Sequence, residues 1–388
     1  MNTTRRGFVG TVALGTAAGV LAGTSLVSKR ARAQTRAASE SGVYDNGIIQ
    51  LHQNESARGP GPKTMDALRS HVTKRVGRGY PADHVNELRE GIANYYNVTT
   101  DNVQLATGSG PLLRGAVRAF CSADKKFVTP MPTYSTSLST AQTIGAATQE
   151  LSLDSSLGID LGALADAAPG AGLLYLCNPN NPTGTVHGPD AVERFVRRVM
   201  REAPGTMIHI DEAYIDYAKP GAMETALPLA LELENVFITR SFSKAHGMPG
   251  LRVGYALGQE QTLARIRGAW GLGDVNMLGA IAALTALEDR EHIASEVQEN
   301  ADIRDMVIGA FREMGFEVGD SNTNHIFVNI RRPAREFREA CLENNVLVGR
   351  DFPPLEETHC RISLGSREEM EIAIEVFSKL NGFCFFDG

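Results

Sequence analysis

The chain has 388 residues, of which 43% are hydrophobic and 21% are charged. This balance is typical of globular proteins and excludes a disordered, collagen-like or coiled-coil chain. The formal net charge is -7, which argues against a general nucleic-acid binder because such proteins carry a basic excess. The one long uncharged apolar run lies at the N-terminus, so a protein with several membrane spans is excluded as well.

The N-terminal segment resembles a twin-arginine export signal. Arg5 and Arg6 precede an apolar stretch over residues 9–27, and residues 31–33 (ARA) are typical of a signal-peptidase site. We therefore expect residues 1–33 to be a leader that the twin-arginine machinery recognises, and the mature chain to be periplasmic or extracellular. An uncleaved N-terminal anchor is the alternative. Because the twin-arginine route carries folded proteins, often with a cofactor in place, the leader favours a cofactor enzyme.

The cysteines and histidines show no metal-site spacing. The five cysteines are odd in number and no two form a C-x-x-C pair, so neither a disulfide framework nor a zinc site is predicted. We expect most of them to be buried as small apolar side chains. They are Cys121, Cys177, Cys341, Cys360 and Cys384.

Strand and helix patterns alternate from about residue 65 onward, which predicts an α/β fold with a mostly parallel sheet flanked by helices. After about residue 275 an amphipathic helix, a strand at 326–330 and a final helix predict a smaller α+β unit. The predicted strands of the large sheet include 103–106, 173–177, 207–210, 236–239 and 253–256. The expected segments are a leader (1–33), a linker and arm (34–64), a large cofactor-binding domain (65–275) and a small C-terminal domain (276–388) to which the arm contributes.

Polar motifs follow three of the predicted strands, and ligands of α/β sheets bind at the carboxyl ends of strands. Lys244 lies in a serine-containing run (SFSK, 241–244) with Arg252 eight residues further on, which indicates a reactive amine beside a phosphate site. Asp211 and Tyr214 (DEAY, 211–214) offer a partner for a cation and a hydrogen-bond donor. These are the groups needed to bind pyridoxal 5'-phosphate through a lysine Schiff base. A turn-rich run, NPNNPTG, follows a third strand at 178–184.

In the order and spacing of these motifs the chain resembles the fold-type I pyridoxal-phosphate aminotransferases of class I/II, and most closely the histidinol-phosphate aminotransferase branch. The resemblance extends from residues 51–55 (LHQNE) to 361–365 (RISLG). It implies a homodimer that moves an amino group from an amino acid or related amine to a 2-oxo acid such as 2-oxoglutarate.

The resemblance also implies a role for each motif residue. Lys244 forms the Schiff base and shuttles a proton, Asp211 faces the pyridine nitrogen, and Tyr214 and Asn178 bond the phenolic oxygen. The remaining implied contacts are Ser109, Gly110, Ser241, Ser243 and Arg252 to the phosphate, Tyr134 stacked on the ring, Tyr80 reaching the phosphate in the partner subunit, Arg361 to the substrate carboxylate, and Arg350 to a second anionic group of the substrate.

Two segments depart from the family pattern. Residues 109–111 (SGP) lack the acidic pair that often follows the glycine in close relatives, and residues 54–60 (NESARGP) lack an aromatic side chain where substrate would approach. Side-chain contributions at these two places are therefore not carried over from the family.

Other functions use the same residues. A decarboxylase, racemase or lyase on the same fold would keep Lys244 and Asp211, although Arg361 favours transamination. The S-x-x-K spacing from Ser241 to Lys244 also occurs in serine hydrolases, but K-T-G and S-D-N motifs are absent. An exported, non-catalytic binding protein is a third alternative, against which the intact lysine argues. For Arg350 the alternative is an ion pair with Asp351 or another surface acid.

Overall fold

The computed structural model describes residues 47–78 and 80–381, and the structural statements below concern these residues. The predicted leader, residues 34–46 of the predicted arm, Gly79 and Cys384 lie outside them. Within the described ranges, no helix combines the length and the apolar character that a membrane span requires.

Twelve strands are present in the described residues. In chain order they are β1 (Ile49–Leu51), β2 (Val103–Ala106), β3 (Lys126–Met131), β4 (Thr148–Ser152), β5 (Ala171–Cys177), β6 (Met207–Asp211), β7 (Val236–Ser241), β8 (Gly254–Gly258), β9 (Glu317–Val318), β10 (His325–Asn329), β11 (Val346–Val348) and β12 (His359–Ser363).

Seven strands form the large sheet in the order β2-β8-β7-β6-β5-β3-β4. The neighbours from β7 to β4 are parallel, whereas β8 is antiparallel to both β7 and β2. The predicted α/β class, with a mostly parallel sheet between helices, is confirmed. A three-stranded antiparallel sheet (β12-β10-β9) and a parallel pair of β1 with β11 form the smaller unit.

The described residues contain twelve α-helices, most of which connect successive strands. They are α1 (Pro62–His71), α2 (Ala82–Tyr96), α3 (Gly110–Phe120), α4 (Thr136–Thr143), α5 (Leu161–Asp166), α6 (Pro189–Glu202), α7 (Leu227–Glu232), α8 (Glu260–Ala269), α9 (Met277–Glu288), α10 (Arg290–Glu313), α11 (Ala334–Glu343) and α12 (Arg367–Leu380).

The large sheet separates two apolar cores. Every residue of β5 and β6 is buried, as expected for parallel strands covered on both faces. Successive side chains of a strand point to opposite faces, so Leu174 and Leu176 enter one core while Leu173 and Tyr175 enter the other. The polar residues that follow these strands are therefore carried by a rigid, well-packed base.

A third core belongs to the smaller unit and includes part of the N-terminal arm. Leu51 of β1 is fully buried there among residues such as Phe311, Ile326 and Phe377. Helix α9, which the sequence analysis assigns to the small domain, instead packs with the core of the large sheet through Ala280, Ala283 and neighbouring residues. Its apolar, alanine-rich sequence allows close contact with α1 and α2.

Candidate active site

A cavity of about 650 Å³ lies at the carboxyl ends of β5, β6 and β7. The arm, the large sheet and the smaller unit all contribute to its wall. Most of the residues singled out in the sequence line it, which fits the rule that ligands of α/β sheets bind at this edge. Those residues are Ser109, Gly110, Tyr134, Asp211, Tyr214, Ser241, Ser243, Lys244, Arg252, Arg350 and Arg361.

One end of the cavity is built to hold an anion. Helix α3 begins at Gly110, and Pro111 lies in its first turn, where the missing N–H breaks no hydrogen bond. The backbone of Ser109 approaches β8 so closely that a Cβ on Gly254 would lie 2.4 Å from the Ser109 nitrogen. Free N–H groups at a helix start attract negative charge, so glycine at 254 allows a backbone anion site to form.

Arg252 lies beside this helix start. A Cβ on Gly108 would lie 2.2 Å from Nη2 of Arg252, and the backbone of Arg252 adopts the left-handed conformation with φ 58°. Its Nη1 donates to the Pro249 carbonyl at 2.8 Å and lies 3.5 Å from Oγ of Ser243. The serine hydroxyls, the guanidinium and the helix start thus lie together where the sequence analysis expects a phosphate.

Asp211 is the last residue of β6 and forms part of the cavity floor. Tyr175 donates a hydrogen bond to its Oδ2 at 2.9 Å, and Thr239 donates to Oδ1 at 3.1 Å. Burial raises the pKa of Asp211 to about 6, an effect that these hydrogen bonds oppose. A buried carboxylate held in one orientation suits the pairing with a cationic nitrogen that the sequence predicts.

Thr239 connects Asp211 to a fully buried histidine. Nε2 of His209 lies 2.8 Å from Thr239 Oγ1, whose single hydrogen is already given to the carboxylate. Burial lowers the pKa of His209 to about 3, so this ring is neutral and donates from Nε2. Neither Tyr175 nor Thr239 is predicted from the sequence, because both lie inside apolar strands that give no motif.

Lys244 projects into the cavity near Tyr214, with Nζ 5.4 Å from the centre of the tyrosine ring. Its amine donates to the backbone carbonyls of Gln53 at 3.2 Å and Asn54 at 3.1 Å. Burial, with a further contribution from the positive charge of Arg361, lowers the pKa of Lys244 to about 7. A large fraction of this amine is therefore neutral and nucleophilic near neutral pH.

Two tyrosines belong to the cavity wall in different ways. Tyr214 is buried, and its hydroxyl accepts from Nδ2 of Asn54 at 2.9 Å. Burial raises the pKa of Tyr214, so the phenol keeps its hydrogen at neutral pH. Tyr134 is 37% exposed at the cavity mouth, which leaves one face available for the predicted stacking.

The prediction for Asn178 is wrong. Its side chain closes the turn after β5, where Oδ1 accepts from the backbone nitrogen of His187 at 2.8 Å and Nδ2 donates to the His187 carbonyl at 3.0 Å. Asn181 lines the cavity instead, three residues later in the same motif. The motif contains three asparagines, and only the path of the turn decides which side chain faces the cavity.

Arg361 lies on β12 of the smaller unit and reaches into the cavity. Its Nη1 donates to Oδ1 of Asn181 at 2.9 Å, and its Nη2 donates to the His52 carbonyl. Burial lowers the pKa of Arg361 to about 10, so the guanidinium stays charged at neutral pH. Nε has no hydrogen-bond partner among the described residues. A buried guanidinium that pairs with no carboxylate in the described part of the chain suits the predicted clamp on a substrate carboxylate.

Arg350 also lines the cavity, and its position argues against the ion-pair alternative. Its hydrogen bonds go to the Ser135 hydroxyl and the Asp351 backbone carbonyl, both at 3.1 Å. The Asp351 carboxylate pairs instead with Arg338 at 2.7 Å. Arg338 is itself a cavity residue that the sequence analysis misses.

The cavity lining differs from the prediction at three further residues. Tyr80 does not line the cavity; it is 97% exposed. Asn54 and Arg114 line the cavity without having been predicted. The arm residue Asn54 belongs to the LHQNE run that carries the resemblance, so its position in the sequence was the available signal.

Comparisons with known proteins show which proteins this chain is similar to. The family model described as aminotransferase class I and II matches residues 46–377. A histidinol-phosphate aminotransferase of Moorella thermoacetica is 30% identical over 88% of this chain and 87% of its own length. A second one, from Bradyrhizobium diazoefficiens, is 31% identical over 86% of this chain and 93% of its own. The crystal structure of a histidinol-phosphate aminotransferase from Sinorhizobium meliloti, in complex with pyridoxal-5'-phosphate, superposes with a TM-score of 0.77 at 25% identity, covering 86% of this chain and 91% of that one.

Proposed function

This chain belongs to the aminotransferase class I and II family, and we propose that its amino donor carries two anionic groups, such as a carboxylate and a phosphate, in addition to the reacting amine. The chain is a pyridoxal-phosphate-dependent aminotransferase. We also propose roles for individual residues, a dimeric assembly and a location outside the cytoplasm.

The cavity fits the cofactor at both ends. Bound pyridoxal phosphate supplies an electron-withdrawing ring that makes the hydrogen on the amine-bearing carbon acidic. Its phosphate would be held by Ser241, Ser243, Arg252 and the backbone at the start of α3. Gly254 lies so close to this backbone that a side chain at position 254 would not fit. At the opposite end Asp211 would keep the pyridine nitrogen protonated.

Lys244 would serve as the attachment point for the cofactor and then as the proton carrier. A neutral amine has two hydrogens and one lone pair, and the carbonyls of Gln53 and Asn54 are placed to accept both hydrogens. The lone pair then points away from the arm. A pKa of about 7 lets the same amine take up and release a proton near neutral pH.

The main support for a donor with two anionic groups is the pair of arginines in the cavity. Arg361 suffices for one carboxylate, and Arg350 supplies a second positive charge that its own hydrogen bonds do not neutralise. Arg338 strengthens this arrangement because it occupies the Asp351 carboxylate. The histidinol-phosphate aminotransferases that share about 30% identity are named for a phosphorylated donor, which is consistent with cavity arginines that accept a phosphate.

Substitution of the two arginines tests this class of donor. In single-turnover measurements without the oxo acid, Arg350→Ala should raise the donor concentration at half-maximal rate by roughly tenfold for donors with two anionic groups and leave it nearly unchanged for donors with one. Arg361→Ala should weaken the binding of every substrate that has a carboxylate. Arg335→Ala, which removes an exposed guanidinium paired with Glu339 outside the cavity, is the matched control. Equal losses for both donor types in Arg350→Ala would contradict a second anion site.

We also propose that the chain works outside the cytoplasm after twin-arginine export. The support is the order of Arg5 and Arg6, the apolar stretch and the ARA site. Replacing both arginines by lysine should retain a C-terminally tagged chain in the cytoplasmic fraction, whereas Arg30→Lys should not. Export of the double-lysine variant at the normal level would refute the twin-arginine route.

A further inference from the structure

Asn54 lies where the arm, the large sheet and the smaller unit meet. It is 1% exposed and adopts the left-handed conformation with φ 55°. Its backbone nitrogen donates to Ser363 Oγ at 2.8 Å, and its carbonyl accepts from Lys244 at 3.1 Å and from Asn324 at 3.0 Å. Asparagine tolerates this conformation better than most residues, and the surrounding contacts hold it there.

The hydrogen bonds of the Asn54 side chain determine how its amide is oriented. Oδ1 accepts from Ser363 Oγ at 2.7 Å, while Nδ2 lies 2.9 Å from both the Tyr214 hydroxyl and His325 Nδ1. The opposite orientation would leave the only hydrogen of Ser363 without this acceptor in a buried site, which is costly.

His325 is compatible with the same orientation of the amide. Burial lowers its pKa well below the usual value, so the ring is neutral and carries one hydrogen. Nδ1 is the ring nitrogen that faces the Asn54 amide, and Nε2 has no hydrogen-bond partner among the described residues, so the single hydrogen can lie on Nε2. Nδ1 is then an acceptor, and it takes the second hydrogen of the Asn54 amide.

The direction of the Tyr214 hydrogen follows from these donors. The Tyr214 oxygen accepts from Nδ2 of Asn54 at 2.9 Å and, more weakly, from Nδ2 of Asn181 at 3.4 Å. Asn181 cannot reverse its amide, because its Oδ1 accepts from Arg361, which has only donors. With two donors directed at its oxygen, the Tyr214 hydroxyl has its own hydrogen free to point into the cavity.

We propose that Asn54 is a positioning residue that turns the hydroxyl hydrogen of Tyr214 into the cavity, toward the phenolic oxygen of the bound cofactor. This inference rests on the proposed role of Tyr214 in cofactor binding. A hydrogen bond donated to that oxygen stabilises its anionic form and lowers the pH at which the cofactor attached to Lys244 loses a proton. Asn54 would therefore influence the cofactor through the Tyr214 hydroxyl.

The test is an absorbance titration of the holoenzyme against pH. Asn54→Asp keeps the size of the side chain and tolerates the left-handed backbone, but it presents an acceptor to Tyr214 and draws the hydrogen back. The midpoint of the titration should rise by about one pH unit. Ser363→Ala, an uncharged change that frees the amide to turn, should raise the midpoint by less.

Two further variants separate this role from other effects. Asn324→Ala loosens the arm without touching Tyr214, so it should lower the melting temperature and leave the midpoint unchanged. In a Tyr214→Phe background, Asn54→Asp should add no further shift. A full additional shift in that background would mean that the new charge acts directly, and would overturn the proposal.

The Tyr214→Phe variant separates the proposed role of Tyr214 from the proposed role of Asn54. If Tyr214→Phe leaves the midpoint where it is in the wild type, the proposed role of Tyr214 is wrong and the role of Asn54 falls with it. If Tyr214→Phe raises the midpoint while Asn54→Asp and Ser363→Ala do not, the role of Tyr214 stands and only the proposal for Asn54 is overturned.

Discussion

The cavity disfavours the charged form of the Lys244 amine, and this makes the stability of the apoenzyme depend on pH. Its pKa falls from 10.5 to about 7 because the cavity desolvates it. Below pH 7 both the folded and the unfolded apoenzyme bind the proton, and the folded chain bears the cost of a desolvated charge. Between pH 7 and 10.5 the unfolded chain binds more protons, so the stability of the fold rises with pH over this range.

Replacing the lysine should therefore stabilise the apoenzyme while abolishing activity. We expect Lys244→Met to melt a few degrees above the wild type at pH 6, with the difference shrinking as the pH approaches 10. Transamination should disappear, because no other primary amine lies at that position. Lys219→Met, at an exposed lysine outside the cavity, is the control. A stability difference independent of pH, or turnover retained, would contradict the role given to Lys244.

At the residue scale the sequence predicts side chains that follow a strand directly and misses those that depend on the course of a turn. Asp211 ends β6, so its position follows from the strand. Asn178 also follows its strand directly, yet its amide closes a turn, and Asn181 faces the cavity in its place. Tyr175 and Thr239 support Asp211 from within apolar strands, where hydropathy alone marks them as core.

At the scale of elements, the backbones at the start of α3 and the start of β8 nearly touch at the proposed phosphate site. We expect Gly254→Ala to weaken binding of pyridoxal phosphate by at least roughly tenfold, since its Cβ would lie 2.4 Å from the Ser109 nitrogen and would displace the N–H groups. Gly268→Ala is the matched control, because a Cβ there meets nothing within 4 Å. Equilibrium dialysis measures the affinity of each variant for pyridoxal phosphate. Equal affinities in the two variants would mean that the contact between Gly254 and Ser109 plays no part in phosphate binding.

The order of alternating elements predicts the large sheet well, because buried parallel strands give continuous apolar runs. It predicts the origin of the cavity wall less well. Arm residues 52–55 and the arginines of the smaller unit come together only through the pairing of β1 with β11 and the packing of α11. Contacts between residues almost 300 positions apart leave no local signal in one sequence.

For the whole molecule, the exposed Tyr80 makes the assembly testable. If it completes the phosphate site of a partner subunit, Tyr80→Phe should weaken cofactor binding by roughly tenfold through loss of one hydrogen bond to a charged group, without dissociating the dimer. Tyr95→Phe, at another exposed tyrosine, should change nothing. Sedimentation that showed a fully active monomer at working concentration would rule out a shared site.

The pairing of Ile49–Leu51 with Val346–Val348 bears on how this protein can be engineered. The strand that enters the fold first is followed, two residues later, by the carbonyls that hold the lysine amine. A fusion partner joined at residue 47 would lie next to this segment, whereas one joined after residue 381 would follow helix α12 on the smaller unit. A chain that begins at residue 47 keeps every described residue of the site, but removal of eight further residues would take away Asn54 and both carbonyl acceptors of Lys244, so the margin for trimming is narrow.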